Sequence, residues 1–333
     1  MSAHKAAAWL ALCFVAAGGT AGWSQVVSGT ILEIEVENLV QYSRDVTDLQ
    51  KLATDPNRTT ATAAARNFAM AVVVADIVAV NGKPAKGTWV SNQNTITLRL
   101  NPSPGQGIAD TVRNVISNGV WEILQSDGTP IGSIMISGMG FGPLPPGAPT
   151  ATAQGNFTIT GGTGAFLGVH GQSGGVPAPR QASMTEDPAN RRIHGGSSSR
   201  SILNVIPMTR PEIVIIPSGP AVVHANDFSA VTTAKPARSG EILSMIATNL
   251  GPTRPGVNPG QPFPGSPPHV VNSPVEVTVN GQPAEVLYAG GYPGTTNTYQ
   301  VNFRLPSGVA PGQATLQLAA AWIGAPEVRV AVQ

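Results

Sequence analysis

Residues 68–82 read FAMAVVVADIVAVNG, a nearly continuous apolar run from Phe68 to Val80 closed by Asn81-Gly82. Asn-Gly enters the left-handed geometry of a two-residue hairpin turn more readily than almost any other pair, so the run is a strand and the turn folds it back on itself. Gly87–Leu100 is the returning arm, with Ile96, Leu98 and Leu100 alternating against Thr95, Thr97, Arg99 and Asn101. A hairpin with so apolar a first arm needs a core closed by further strands, and the flanking sequence supplies them.

Upstream, residues 31–42 put Leu32, Ile34, Val36, Val40 and Tyr42 on one face and Glu33, Glu35, Glu37 and Gln41 on the other. One face meets a core and the other meets water. Residues 43–67 are polar and Thr/Ala-rich and read as a long loop. Downstream, Val120–Gln125, an Asp127-Gly128 turn, Ile131–Met139, Gly155–Thr160 and Ser201–Ile206 continue the series of short strands bounded by turn chemistry. Ile108, Val112, Val115 and Ile116 instead share one face of a short helix, the one serious helical candidate. Residues 141–153 and 171–200 are Gly/Pro/Ser-rich and read as loops, the second carrying Arg191, Arg192 and His194 as a solvated basic cluster. Many short antiparallel strands without crossover helices mean a barrel or a sandwich.

Prolines 207, 211, 217 and 220 recur too often for a paired strand and mark a linker over 207–219. Beyond it the all-β pattern resumes. Gly240–Leu250, Val275–Val279, Ala284–Tyr288, Tyr299–Leu305, Ala314–Ala320 and Val328–Val332 read as strands, a second Asn280-Gly281 hairpin turn joins two of them, and a proline-rich loop fills 251–274. The domain plan is a barrel over 26–206, the linker, and a sandwich over 220–333.

Residues 1–25 read as an export signal: Lys5 gives a positive start, Ala6–Ala17 an apolar stretch too short to span a bilayer, and Ala21, Gly22 and Ser24 a small-residue cleavage region. The single cysteine, Cys13, falls inside it. The processed chain then has no thiol, which excludes disulfides, cysteine nucleophiles and zinc-thiolate sites. Once Lys5 leaves with the signal, basic and acidic residues balance at 18 each, so neither nucleic acid nor an anionic membrane is implied as a partner. Charged residues are only 11% of the chain against 38 glycines and 30 prolines, but 41% hydrophobic content supplies enough apolar surface for packed cores.

Residues 220–333 carry Gly240-Glu241-Ile242-Leu243, Asn249-Leu250-Gly251-Pro252-Thr253, Pro283–Gly290 and Tyr299-Gln300-Val301-Asn302. On these the region resembles an uncharacterised C-terminal domain of exported bacterial proteins, similar to immunoglobulin-like modules of the IPT/TIG type. Such modules serve as spacers or binding units, and the resemblance implies a sandwich with no catalytic residue. Gly155–Gly168, GNFTITGGTGAFLG, resembles the strand-and-turn signature of dirigent and allene-oxide-cyclase-like barrels. That resemblance implies eight antiparallel strands around an apolar ligand cavity, in a group that cyclises or couples hydrophobic small molecules.

Chemistry-bearing motifs are few. Gly162–Leu167 fails the dinucleotide fingerprint because no βαβ unit surrounds it, and no nucleophile elbow, phosphate loop or zinc-protease helix occurs. His170, His194, His224 and His269 sit in or beside Gly/Pro-rich segments without metal-ligand spacing and read as surface residues; no metal and no cofactor is expected. Asp76 interrupts the apolar run, on a face shared with Met70, Val72, Val74, Val78 and Val80. Facing inward, it serves as a general acid or base or anchors a ligand hydroxyl; otherwise it pairs with Arg99 or a backbone amide and fixes register. Glu122, between Val120 and Leu124, is a second pocket candidate beside Asp76 and Arg99.

Two functions follow. The first is an exported, non-catalytic protein that binds a small apolar ligand or a cell-surface partner, secreted or periplasmic. The second is a barrel enzyme of the cyclase or dirigent type with Asp76 as its polar handle. An apolar pocket of about 300 Å³ or more opening beside Asp76 favours the enzyme, and a side-chain-filled interior favours the binder.

Overall fold

The computed structural model describes residues 29–45, 67–97, 114–140, 155–175 and 178–333. The expected export signal with Cys13, the polar stretch after Asp45, Arg99, Ile108 and Val112 lie outside the described residues.

The first domain is an antiparallel barrel closed by eight strands: β1 (Thr30–Asp45), β2 (Asn67–Val80), β3 (Lys83–Thr97), β4 (Asn114–Gln125), β5 (Pro130–Gly140), β6 (Gly155–Gly164), β7 (His170–Gly175) and β9 (Ser197–Ile206). A short β8 (Arg180–Ser183) lies between β7 and β9 in sequence and pairs with β1 in parallel, outside the ring. The ring closes because β1 pairs with β2 along Ile34–Asp45 and with β9 along Thr30–Leu39. Alternation places Leu32, Ile34 and Val36 of β1, Val73 and Ala75 of β2, Ile123 of β4, Ile134 and Ile136 of β5, Ile159 of β6 and Leu203 and Val205 of β9 in one buried cluster. Trp89 and Trp121, directly opposed on β3 and β4, stack within it at 4.6 Å and 6° between planes.

Several expectations change on folding. The described part of the helical candidate is a strand: Val115 and Ile116 belong to β4, whose pairing with β3 outweighs the local helical spacing. The long loop over 171–200 contains most of β7, all of β8, a one-turn helix α1 (Arg191–His194) and the start of β9. Within β1 the alternation breaks at Asn38, whose φ is 52° where the register against β2 and β9 slips. An extra residue at a bulge turns every later side chain to the opposite face. Leu39 therefore joins Val36 in the interior cluster, and Val40 and Tyr42 are buried apart from it, in register with Arg180 and Ala182 of β8. Gly196 makes the bulge possible, because a Cβ there would stand 2.4–2.6 Å from the Asn38–Leu39 backbone.

The second domain is a sheet curled over its own core into a sandwich-like unit. Its strands Ile242–Thr248, Thr298–Arg304, Gln282–Gly291, Val275–Val279 and Gly312–Ala320 follow one another in hydrogen-bonded order, with Val328–Val332 on Gly312–Ala320. Asn280 and Gly281, at φ 50° and 76°, make the expected hairpin turn, as Asn81 and Gly82 do in the barrel at 51° and 70°. The core gathers Leu243, Met245, Val277, Val279, Val301, Phe303, Leu316, Leu318 and Val330. The expected linker is shorter than its prolines suggest: Glu212–Ile213 pairs with Ala247–Thr248 as an edge strand, a position where proline is tolerated nearby. In the loop over 251–274, Thr253–Arg254 pairs with Val270–Val271.

The two domains share a core. The tight turn between Gly312–Ala320 and Ile323–Gly324 inserts Ala321, Trp322 and Ile323 into the barrel's apolar cluster. Ala321 and Trp322 hold φ of 49° and 64°, a left-handed conformation that costs a bulky residue on the order of 1–2 kcal/mol and persists only where packing over-determines it. Around this plug, Lys83 pairs with Glu276, and the Gln125 carboxamide donates to the Asn272 carbonyl. The short turns of the barrel, at Asn81-Gly82 and Asp127-Gly128, thus face the second domain, and β1, β3 and β5 end at the opposite mouth. Replacing Trp322 with alanine should lower stability by about 2–3 kcal/mol and split thermal unfolding into two transitions. A single unshifted transition in calorimetry would contradict a shared core.

Candidate functional site

The most polar part of the barrel is on its outer wall. Ala71, Val73, Ala75 and Ile77 are the inward members of β2, whereas Met70 is 43% exposed, so the face carrying Met70, Val72 and Val74 points outward and Asp76 with it. Asp76 stands opposite Glu37 on β1 and Thr88 on β3. Its Oδ2 accepts from Arg192 Nε at 2.7 Å and Asn38 Nδ2 at 2.9 Å, and its Oδ1 from Arg192 Nη2 at 2.9 Å and from Arg191. Burial alone would raise the pKa of this carboxyl, but the hydrogen bonds from Arg192, Asn38 and Arg191 outweigh it and hold the pKa at about 2. Both oxygens are spoken for by cations, so Asp76 has no proton to give near neutral pH.

A second pair completes the clasp. Arg180 grips Glu186 through both terminal nitrogens, at 2.6 and 3.1 Å, while its Nε donates to the Gly195 carbonyl at 2.6 Å. His194 Nδ1 lies 3.3 Å from the same carboxylate. The Arg180 hydrogen bonds bring Glu186 to about 2. Beneath, burial pushes the pKa of the Tyr42 phenol up, and its hydroxyl is buried without a partner. Arg191 and Arg192, expected as solvated loop residues, are the groups that neutralise Asp76. No periodicity reveals this, because 115 and 116 residues separate the partners.

The three pocket candidates do not converge. Glu122 is exposed on the outer wall, in register with Thr88 and Ser133 and so two strands from Asp76, about 10 Å away. Arg99 lies outside the described residues. Two of the histidines expected at the surface are buried. His224 contacts Glu241 Oε1 at 2.6 Å and the Lys235 carbonyl at 3.2 Å, and His269 contacts the Pro255 carbonyl at 2.6 Å. Each satisfies carbonyls in Gly/Pro-rich chain that has few ladder partners.

Inside the barrel, the apolar cluster gives way, away from the second domain, to buried Ser91, Gln93, Ser117, Ser173 and Ser201. Gln93 and Ser117 face each other across β3 and β4, yet Gln93 Oε1 and Ser117 Oγ are both without a partner.

A cavity lies elsewhere, in the seam between domains. It measures about 500 Å³ and is bounded on the barrel side by Gly164, Ala165 and Leu167. Met208 and Pro211 of the connection, Leu250, Val257, Phe263 and Tyr299 of the second domain, and Ile323 of the plug complete the apolar wall. Gly251, at φ 94°, lets the chain pass the barrel turn, since a Cβ there would stand 3.2 Å from Ala165. Tyr299 donates to the Gly251 carbonyl at 2.7 Å and meets Phe263 edge-on at 5.3 Å. Burial pushes its phenol up to about 12, so it remains a donor. Asn249 and Asn297 brace the floor: Asn297 Nδ2 donates to Asn249 Oδ1 at 2.7 Å, and the Asn249 amide donates to Asn297 Oδ1 at 3.2 Å. Sequence reasoning missed this cleft because its walls are assembled from both domains and their connection.

Among the described residues no group of three potential metal ligands occurs, and no helix is long and apolar enough to cross a membrane. No family model, curated protein or solved structure matches the chain.

Asp76 is charged in the folded chain down to about pH 2 and protonates near pH 4 when unfolded, so its contribution of about 2 kcal/mol is complete above pH 4 and fades toward pH 2. Asp76→Asn should cost about 2–4 kcal/mol at pH 7, because it leaves Arg191 and Arg192 without their counter-charge. The gap between wild type and variant in urea unfolding should narrow as pH falls from 4 to 2. A gap independent of pH over that range would rule out the ion pair as its source.

Proposed function

We propose that this chain is an exported, non-catalytic binding protein that takes a small, predominantly apolar molecule in the cleft between its barrel and its second domain. The observation that carries the reading is the cleft itself. Its 500 Å³ falls within the range of small-molecule sites, it lies at a domain junction, and its walls are apolar side chains with a few uncharged polar groups. Leu167 and Met208 stand at its edge 65% and 63% exposed, large apolar side chains left to water beside a hollow that would cover them on binding.

The rival reading of a cyclase-type barrel enzyme loses the residue it rested on. Asp76 is fixed in an ion pair on the outer wall, and the cavity lies in the seam rather than beside it. In the binding reading the second domain, with its resemblance to spacer modules, forms half of the ligand seat, and the reading of residues 1–25 as an export signal supports a location outside the cytoplasm.

The full chain should bind the neutral dye Nile red with a rise in fluorescence, and Leu167→Asp should weaken that binding at least tenfold while leaving the unfolding midpoint within a few degrees of wild type. Asp76→Asn, remote from the cleft, should leave the dye affinity unchanged under conditions where the variant is folded. Undiminished binding by Leu167→Asp would move the site away from the cleft.

A further inference from the structure

We infer that the cleft selects uncharged ligands, amphiphiles with an apolar body and a neutral hydroxyl, ester or amide head, and rejects fatty acids and alkylamines of the same length. The inference rests on the cleft being the ligand seat and adds the chemical class it takes. Among the described residues, every side chain that lines the cavity is uncharged: no aspartate, glutamate, lysine, arginine or histidine contributes to the wall. A ligand carboxylate or ammonium seated there would give up part of its hydration with no counter-charge to replace it. A hydroxyl or carbonyl needs only a dipole, and the wall supplies these from Thr209, Asn258, Gln261 and Asn297.

The internal bonds of the cleft explain why it stays neutral rather than merely lacking a charge. Tyr299 cannot act as an anion near neutral pH, with its phenol pushed up to about 12 and its proton committed to the Gly251 carbonyl. Asn249 spends its side-chain N–H groups on the Arg210 carbonyl and on Thr248, and its Oδ1 accepts from Asn297. One N–H of the Asn297 carboxamide is not used in that exchange, and it is the donor best placed for a ligand carbonyl or hydroxyl oxygen. Among the described residues, charges paired elsewhere include the exposed pairs Arg304–Glu285 and Lys235–Asp227 and the clasp on the barrel wall.

Competition against bound Nile red with decan-1-ol, decanoate and decylammonium at pH 7 separates the possibilities. Decan-1-ol should displace the dye at concentrations at least tenfold below either ion. Met208→Lys, which places a cation at the exposed edge, should bring decanoate to within threefold of decan-1-ol and leave decylammonium the weakest of the three. Either ion competing as well as the alcohol against the wild-type chain would overturn selection for neutral ligands while keeping the cleft as the site. Failure of all three to displace the dye, with Met208→Lys leaving the dye affinity unaltered, would overturn the cleft as a ligand seat and the inference with it.

Discussion

Closure of the barrel through β1 is the constraint on which the other features depend. A single strand must satisfy β2 on one side and β9 on the other, and the two pairings overlap only over Ile34–Leu39. A straight sixteen-residue strand would carry its apolar alternation past the rim of the interior. The bulge at Asn38 solves this by turning the second half of the strand outward, so Val40 and Tyr42 bury against the 180–196 segment instead of the barrel lumen. That segment needs an anchor of its own, and the clasp of Asp76, Arg191, Arg192, Glu186 and Arg180 provides it. Asn38 serves both ends, as the bulge residue and as a donor to Asp76.

The clasp shows how a provocative sequence signal resolves into architecture. A carboxylate in an apolar strand is expensive unless paired, and two guanidinium groups plus a carboxamide remove the expense while tying a distant loop to β2. Because both partners give up hydration, the pair is costly to break from one side, and removing either partner strands the other. The same features that make a catalytic acid, a buried carboxyl with a shifted pKa, here describe a fastening.

At the other end of the barrel the second domain acts as a lid. Its Trp322 turn supplies apolar surface that the barrel lacks, and the left-handed backbone at Ala321 and Trp322 is maintained by that packing. The docking leaves a gap where the barrel turn at Ala165 and Leu167, the connection at Met208 and the loop at Gly251 approach without meeting. The cleft is therefore a consequence of how the second domain is joined to the barrel through its Ala321–Ile323 plug, and its neutral wall follows from the low charge content of the loops that form it.

Strand alternation and the Asn81-Gly82 and Asn280-Gly281 turns are local chemistry, set by side chains within a few positions of one another, and the sequence by itself determined the all-β class from them. The helix expected around Val115 and Ile116 failed because cross-strand pairing, which no local window contains, competed with local spacing. Only the tertiary structure decided where the bulge in β1 falls, that Asp76 turns outward to Arg191 and Arg192, that His224 and His269 are buried, and that a cavity opens between the domains. These depend on groups brought together from 11 to 116 residues apart, and a contact of that kind has an energy only after the chain has closed around it.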